Sequence, residues 1–244
     1  GCRRCGGGLA GEPFVSNVVE GARLAESLEP GLLLFEGSGA AAPPVATDAR
    51  LLVAGAQQPL GHLAGYLGTY RVLTSDAVVV TMAEEPLATR EKMDQIVRAL
   101  TQINGEAAVV PVVFRPRPAA AVAGRRVAFF STAPEVQQDM LRRYLEERYD
   151  CRVELLSSHL SDRSALRADL QRPEMERVDT VLTEIKAAAI DVVAEAADER
   201  GLEVVFVDNV PQEVAPAQPG DLTDVVERLA ALARERFAER VASS

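Results

Sequence analysis

The pattern Gly-x-x-x-x-Gly-Lys-[Ser/Thr] occurs nowhere in these 244 residues. The glycine-rich loop that usually cradles nucleotide β- and γ-phosphates is therefore missing from this stretch of chain. No apolar run reaches the roughly 20 residues of a membrane span, and the first residues do not read as a signal peptide. The expected location is cytoplasmic, with no membrane partner. No basic stripe stands out and the formal net charge is −10, so nucleic acid is not expected as a main partner. Anionic small molecules stay open, because a local arginine cluster binds them whatever the global sign. Soft metal ligands are few. Beyond Cys2 and Cys5 there are only Cys151, His62 and His159. A lone C-x-x-C with no second pair is a weak zinc signal, and a disulfide is disfavoured in the cytoplasm. Lysine is almost absent: Lys92 and Lys186 are the only two among 26 basic side chains. The bias toward arginine looks genomic, and it draws attention to wherever a lysine does stand.

What is present is an alternation of short apolar runs with amphipathic stretches. That is the signature of an α/β protein with a mostly parallel sheet flanked by helices. The 48% hydrophobic content fits a globular chain long enough for one large or two small domains. Strands are expected over 32–36, 49–54, 77–82, 109–114, 127–131, 152–157, 180–183 and 204–208. Helices are expected over 16–28, 63–73, 90–104, 134–149, 162–171, 187–200 and 221–242. Ser16 or Asn17, Thr89 and Ser161 are the natural N-caps for three of them. The run Arg115-Pro116-Arg117-Pro118 should stop strand or helix, since proline removes a donor and fixes φ. This places domains at 1–118, 119–212 and 213–244, the last a proline-bearing linker and an exposed helix.

Six places on this framework are suited to chemistry. Leu32-Leu33-Leu34-Phe35-Glu36-Gly37-Ser38-Gly39 reads as a buried strand ending where open α/β sheets place ligands. Glu36 there is either a Mg²⁺ carboxylate or a solvated turn residue, and Gly37, Ser38 and Gly39 would let a phosphate approach the backbone. Gly1-Cys2-Arg3-Arg4-Cys5-Gly6-Gly7-Gly8 suits an anion, with backbone N–H groups beside the forked donors of Arg3 and Arg4. A flexible terminus is the plain alternative. Thr81 ends another apolar run, where a base or ribose could sit, although the sequence there is generic. His159 follows a strand and precedes a helix N-terminus, as a general base, a phosphate donor, or merely an exposed histidine. Lys186 lies near a helix N-terminus, where a cation opposes the dipole unless a phosphate shares the site. Asp208 and Asn209, closing the run 204–208, read a ribose or substrate hydroxyl, or cap a turn.

Several blocks together carry a family resemblance. These are Gly1 to Gly11, Pro13-Phe14-Val15-Ser16-Asn17-Val18, Phe35-Glu36-Gly37-Ser38-Gly39-Ala40, Pro43-Pro44-Val45, Leu63-Ala64-Gly65-Tyr66-Leu67-Gly68 and Thr183-Glu184-Ile185-Lys186 through Val192. The chain resembles cyclic 2,3-diphosphoglycerate synthetases from Gly1 to about Pro211. The Glu-Gly-Ser-Gly block is similar to a segment of dethiobiotin synthetase-type ATPases, and His159 to Arg163 with Thr183 to Lys186 is similar, more weakly, to tetraacyldisaccharide kinases.

The resemblance implies a P-loop NTPase-like fold. It also implies ATP and Mg²⁺ as cofactors and 2,3-bisphosphoglycerate as the small-molecule substrate, closed into its cyclic anhydride with release of ADP and phosphate. Arg3, Arg4 and Lys186 would be the clamp, His159 a further catalytic group, and Glu36 the metal carboxylate. Gly37, Ser38, Gly39, Thr81, Asp208 and Asn209 would face the nucleotide. A homodimer is one arrangement open to such a protein. Family members carry an amino-terminal domain and a P-loop before the cysteine-arginine motif. The chain is therefore expected to be a carboxyl-terminal half lacking the P-loop strand, and inactive alone. Two other readings compete: another ATP-dependent ligase or kinase of the same fold, and a non-catalytic binding module.

Overall fold

The computed structural model describes residues 17–37, 45–185, 189–214 and 221–243. They form two compact units. The first comprises Gly1–Ala83, Ala88–Pro111 and Glu213–Ser244, the second Glu84–Leu87 and Val112–Gln212.

In the first unit β1 (Leu51–Gly55), β2 (Ala77–Thr81) and the start of β3 (Ala108–Pro118) run parallel, with Leu51 opposite Ala77 and Ala77 opposite Ala108. All five residues of Ala77-Val78-Val79-Val80-Thr81 are buried, as a central parallel strand requires. Helix α4 (Arg90–Ile103) presents Met93, Ile96 and Leu100 at helical spacing to the core that also holds Val78 and Val80. Thr89 caps it as expected, its hydroxyl accepting from Lys92 N at 3.3 Å. Asn104 ends it: its amide donates to the carbonyls of Val72 (3.1 Å) and Ser75 (3.0 Å), and its side-chain oxygen accepts from Glu106 N and Ala107 N. Asn17, beside α1 (Val18–Glu26), makes no side-chain cap.

The helix expected over 63–73 is two helices, α2 (Leu60–Ala64) and α3 (Leu67–Leu73). Gly65 and Gly68 make the break, since a Cβ on Gly68 would lie 2.5 Å from the Leu63 carbonyl oxygen. No other residue allows so close an approach. The long helix α8 (Leu222–Ala242) completes this unit. It is capped by Asp221 and tied by Arg236 to Asp76 at 2.8 Å.

The strand expected over 32–36 does not form. Residues 32–37 have no regular structure, and Leu34 is 84% exposed. A strand is held by a hydrogen-bonded neighbour, and among the described residues this run has none; apolarity alone did not make it one.

In the second unit the strand order is β3, β7 (Glu203–Glu213), β6 (Thr180–Glu184), β4 (Arg126–Phe130), β5 (Arg152–Ser157). The pairs β7–β6, β6–β4 and β4–β5 are parallel. Alternate residues of β4 point to opposite faces. Ala128 and Phe130 join a core with Leu166 of α6 (Arg163–Asp169) and Val192 and Val193 of α7 (Ile190–Glu199). Val127 and Phe129 join another with Leu141 and Leu145 of α5 (Gln138–Tyr149). Helices thus cover both faces, as the alternating pattern predicts.

Two expectations fail here. Residues 115–118 do not interrupt β3, which runs on through Pro118. Pro116 and Pro118 are two apart, so the donors they lack belong to one strand edge only. Arg115, just before them, is anchored, its guanidinium forked onto Glu84 at 2.6 and 2.5 Å and stacked over the Tyr144 ring. Second, the N-cap of α6 is Asp162, not Ser161: Asp162 Oδ1 accepts from Ser164 N and Ala165 N.

Candidate functional site

The three parallel strands β4, β5 and β6 end together, because Phe130 stands opposite both Ser157 and Thr183 in register. Whatever follows each strand is therefore gathered at one carboxyl edge, where an open α/β sheet binds ligands. Ser131 and Thr132 follow β4, Ser157 ends β5 with His159 just beyond, and Glu184 ends β6.

Glu184 is 7% exposed. Its Oε1 accepts from Ser131 Oγ at 2.6 Å, and its Oε2 from Thr132 N at 3.1 Å and Thr132 Oγ1 at 2.7 Å. A buried carboxylate requires such donors. They fasten the end of β6, and with it the backbone entering Ile185, to the loop after β4. Ser131 is also the joint to β5: its N donates to the Ser157 carbonyl at 2.9 Å and its own carbonyl accepts from Leu160 N at 3.2 Å.

His159 lies on this framework with its Nδ1 2.8 Å from Asp169 Oδ2 and its Nε2 3.5 Å from Glu135 Oε1. The ring is 37% exposed. Its hydrogen bond to Asp169 raises the imidazole pKa above the ordinary 6.5, partly opposed by desolvation, with the charges of Asp169, Glu135 and Asp162 adding. The shift widens the pH range in which the ring is imidazolium, the form whose Nε2–H is an exposed cationic donor. Thr183, fully buried one residue before Glu184, has a hydroxyl with no hydrogen-bond partner among the described residues.

The anticipated site residues fare unevenly. His159 stands at the carboxyl edge of the second unit. Thr81 stands at the carboxyl end of β2 in the first, but its hydroxyl donates to the Ala54 carbonyl at 3.3 Å and its carbonyl accepts from Ala56 N at 2.8 Å. It thus ties β1 to β2. Met82, just after it, takes φ +56°, a left-handed conformation costly for a long side chain. Asp208 and Asn209 do not close a strand. β7 continues to Glu213, so Asp208 is mid-strand, exposed, and paired with Arg117 at 3.1 Å. The chain stays extended because Asn209 and Val210 need no turn there, and the polar pair that looked like a strand end is a solvent-facing stretch. Glu36 is exposed and follows no strand among the described residues. Arg3, Arg4, Ser38, Gly39 and Lys186, with Cys2 and Cys5, lie outside the described residues.

Four participants were not read from the sequence. Ser131-Thr132 follows Val127-Ala128-Phe129-Phe130 as polar residues follow the other strands, so the signal was there. Glu184 lies two residues before Lys186, inside a block already quoted. Asp169 carries no local signal, since it meets His159 across the whole of α6.

Two family models match the chain. One is described as the cyclic 2,3-diphosphoglycerate synthetase P-loop domain, over residues 1–113, and the other as the C-terminal domain of the same synthetase, over residues 118–210. The chain belongs to the cyclic 2,3-diphosphoglycerate synthetase family.

A relative from Rubrobacter xylanophilus bearing the synthetase name is 54% identical over 211 residues, 86% of this chain and 47% of the relative. One from Methanothermus fervidus is 42% identical over 237 residues, 97% and 51% of the two chains. Another, from Methanothermobacter thermautotrophicus, is 46% identical over 211 residues, 86% and 45%. The chain spans about half the length of the curated relatives it matches. The synthetase C-terminal-domain match contains the whole β4–β5–β6 edge, with Ser131, His159, Asp169 and Glu184.

Proposed function

We propose that this chain contributes to the ATP-dependent closure of 2,3-bisphosphoglycerate into its cyclic phosphoanhydride, with release of ADP and phosphate, and that the carboxyl edge of the second unit holds substrate phosphate. The observation that carries the reading is the 54% identity to a protein named for this synthesis, extending over both matched domains.

Joining two phosphates of one molecule means bringing two polyanions together. The demand on a protein is mainly positioning and charge neutralisation rather than covalent catalysis. His159 offers a cationic donor at the strand ends, and Glu184 fastens the backbone that leads into Lys186. Lys186, two residues beyond Glu184 in the chain, is our choice for added positive charge, and Arg3 and Arg4 remain our choice of guanidinium groups for neutralising phosphate. Their charge is needed, because Glu184, Asp169 and Glu135 make the described part of the edge acidic.

Mg²⁺ typically takes one or two protein carboxylates and fills its remaining positions with water and phosphate oxygens. Glu36, an exposed carboxylate beside Gly37, fits that demand as a single ligand. The ion would supply charge neutralisation on the transferring phosphoryl group. Gly37, Ser38 and Gly39, with Thr81, Asp208 and Asn209, remain our choices for nucleotide contacts. Lacking a Gly-x-x-x-x-Gly-Lys-[Ser/Thr] loop within its 244 residues, the chain by itself is expected to bind phosphates weakly and not to turn over ATP. We place the protein in the cytoplasm.

The test is ³¹P NMR of products formed from 2,3-bisphosphoglycerate and ATP by the complete protein that contains this chain. Phosphoanhydride resonances with stoichiometric ADP support the reading. ADP release with the bisphosphate unchanged would assign the site to another phosphoryl acceptor.

A further inference from the structure

At the carboxyl edge of the second unit three side chains close a ring of hydrogen bonds. His159 N donates to Ser157 Oγ at 3.1 Å, Ser157 Oγ donates to Asp169 Oδ2 at 2.6 Å, and the same oxygen stands 2.8 Å from His159 Nδ1. The directions are fixed by inventory. Serine has one proton, which goes to the carboxylate, so its lone pair receives the His159 amide. An ionised carboxylate only accepts, so Nδ1 must carry hydrogen. The imidazole is then held at both its backbone and its ring, and Nε2 is the only atom of it left to act.

We propose that Asp169 is a positioning residue, braced by Ser157, which holds His159 by Nδ1 so that Nε2 is presented as a hydrogen-bond donor to a phosphate oxygen of the bisphosphorylated substrate. This rests on the substrate reading above. The ring is 37% exposed while Asp169 is 15% exposed, so the imidazole is held on its Nδ1 side and remains accessible to a ligand. The charged groups facing the ring come from every neighbouring element. They are Asp169 at the end of α6, Asp162 at its cap, and Glu135 in the short helical turn before α5. All three favour the protonated ring, which is the form that donates from Nε2. Glu135 is the only one near Nε2. At 3.5 Å and 71% exposed it is loosely held, and a phosphate oxygen can displace it, gaining a shorter charge-assisted bond. No proton needs to leave the ring in this role. The imidazolium neutralises charge as the two phosphates approach, and is unchanged afterwards.

The experiment is ¹⁵N NMR of the histidine rings in the complete protein, with the His159 signals assigned by their loss in His159→Gln. In the wild type, the neutral ring should be the Nδ1–H tautomer, and its titration midpoint should lie above the ordinary 6.5. In Asp169→Asn the midpoint should fall, and in Ser157→Ala it should fall by less. Added 2,3-bisphosphoglycerate should shift Nε2 in the wild type and bind about tenfold more weakly to Asp169→Asn, the loss expected of one charge-assisted contact. An Nε2–H tautomer in the wild type, which needs no variant to be folded, overturns the inference. So does an unchanged midpoint in Asp169→Asn. A midpoint that falls while wild type, Asp169→Asn and His159→Gln bind the bisphosphate equally well would keep the hydrogen-bond ring and overturn the phosphate-donor role, and with it this placement of substrate.

Discussion

Removing the Glu184 carboxylate should cost stability in a graded way that its hydrogen bonds determine. Two of its three donors belong to the exposed Thr132, which water can resatisfy. The third, Ser131 Oγ, is in a residue only 1% exposed. Glu184→Ala leaves that hydroxyl buried without its acceptor and opens space at the end of β6. Hydrogen bonds to charged groups contribute about 1.5–3 kcal/mol each and are not additive within one cluster, so a loss of about 3 kcal/mol is expected. For a protein of this size that corresponds to a fall in Tm of roughly 6–12 °C.

Glu184→Gln behaves differently. The amide oxygen can face both Thr132 donors while the NH₂ donates to Ser131 Oγ, which has a second lone pair beside the one taken by Ala133 N. About 1 kcal/mol is therefore expected. The assay is urea unfolding followed by circular dichroism, with m compared across variants. If Glu184→Ala and Glu184→Gln both fall within about 0.5 kcal/mol of wild type, the carboxylate is not a fastening.

Four further outcomes follow from the same contacts. The His159–Asp169 pair raises the folded pKa of His159 above its unfolded value. Its contribution to stability is therefore fully present below about pH 6.5 and lost as pH rises through the folded pKa, so Asp169→Asn should lower the urea midpoint at pH 5.5 and much less at pH 9. An equal loss at both values would show a packing effect instead. Thr183→Val replaces an unpartnered buried hydroxyl by a methyl group of the same shape and should be neutral or stabilising by up to about 1 kcal/mol in the same assay; a loss above 1 kcal/mol would mean the hydroxyl has a partner in solution. Gly68→Ala forces a methyl group to within 2.5 Å of a backbone oxygen and should cost about 2 kcal/mol or more; wild-type stability would mean the α2–α3 turn relaxes freely. Glu36→Gln in the complete enzyme should lower turnover by orders of magnitude at stability unchanged within about 1 kcal/mol, and normal turnover at saturating Mg²⁺ would reduce Glu36 to a solvated loop residue.

The sequence was most informative where one local rule decided the outcome. Buried runs such as Ala77 to Thr81 and Val127 to Phe130 are strands because continuous apolar β-branched and aromatic residues suit a sheet covered on both faces. Thr89 caps α4 because a hydroxyl at that position accepts an orphan N–H. The misreadings came where partners decide. The run 32–36 has the composition of a strand, but pairing, not composition, makes one. The prolines at 116 and 118 looked like a barrier because their shared strand edge is invisible in one dimension. Asp208 looked terminal because the polar residues after it do not alternate as a buried strand does. In the candidate site, His159 and the block containing Glu184 were legible from their place after strands. Asp169, which fixes the imidazole, was not, because its contact spans a helix and depends on tertiary geometry.

If substrate phosphate sits at the carboxyl edge formed by β4, β5 and β6, backbone amide NMR of the complete protein titrated with 2,3-bisphosphoglycerate should show saturable shifts concentrated at Ser131 and Thr132, at Ser157 to Leu160, and at Glu184 and Ile185. Saturable shifts confined to other surfaces, such as the groove lined by Arg172, Met175 and Arg200, with that edge unmoved, would contradict it.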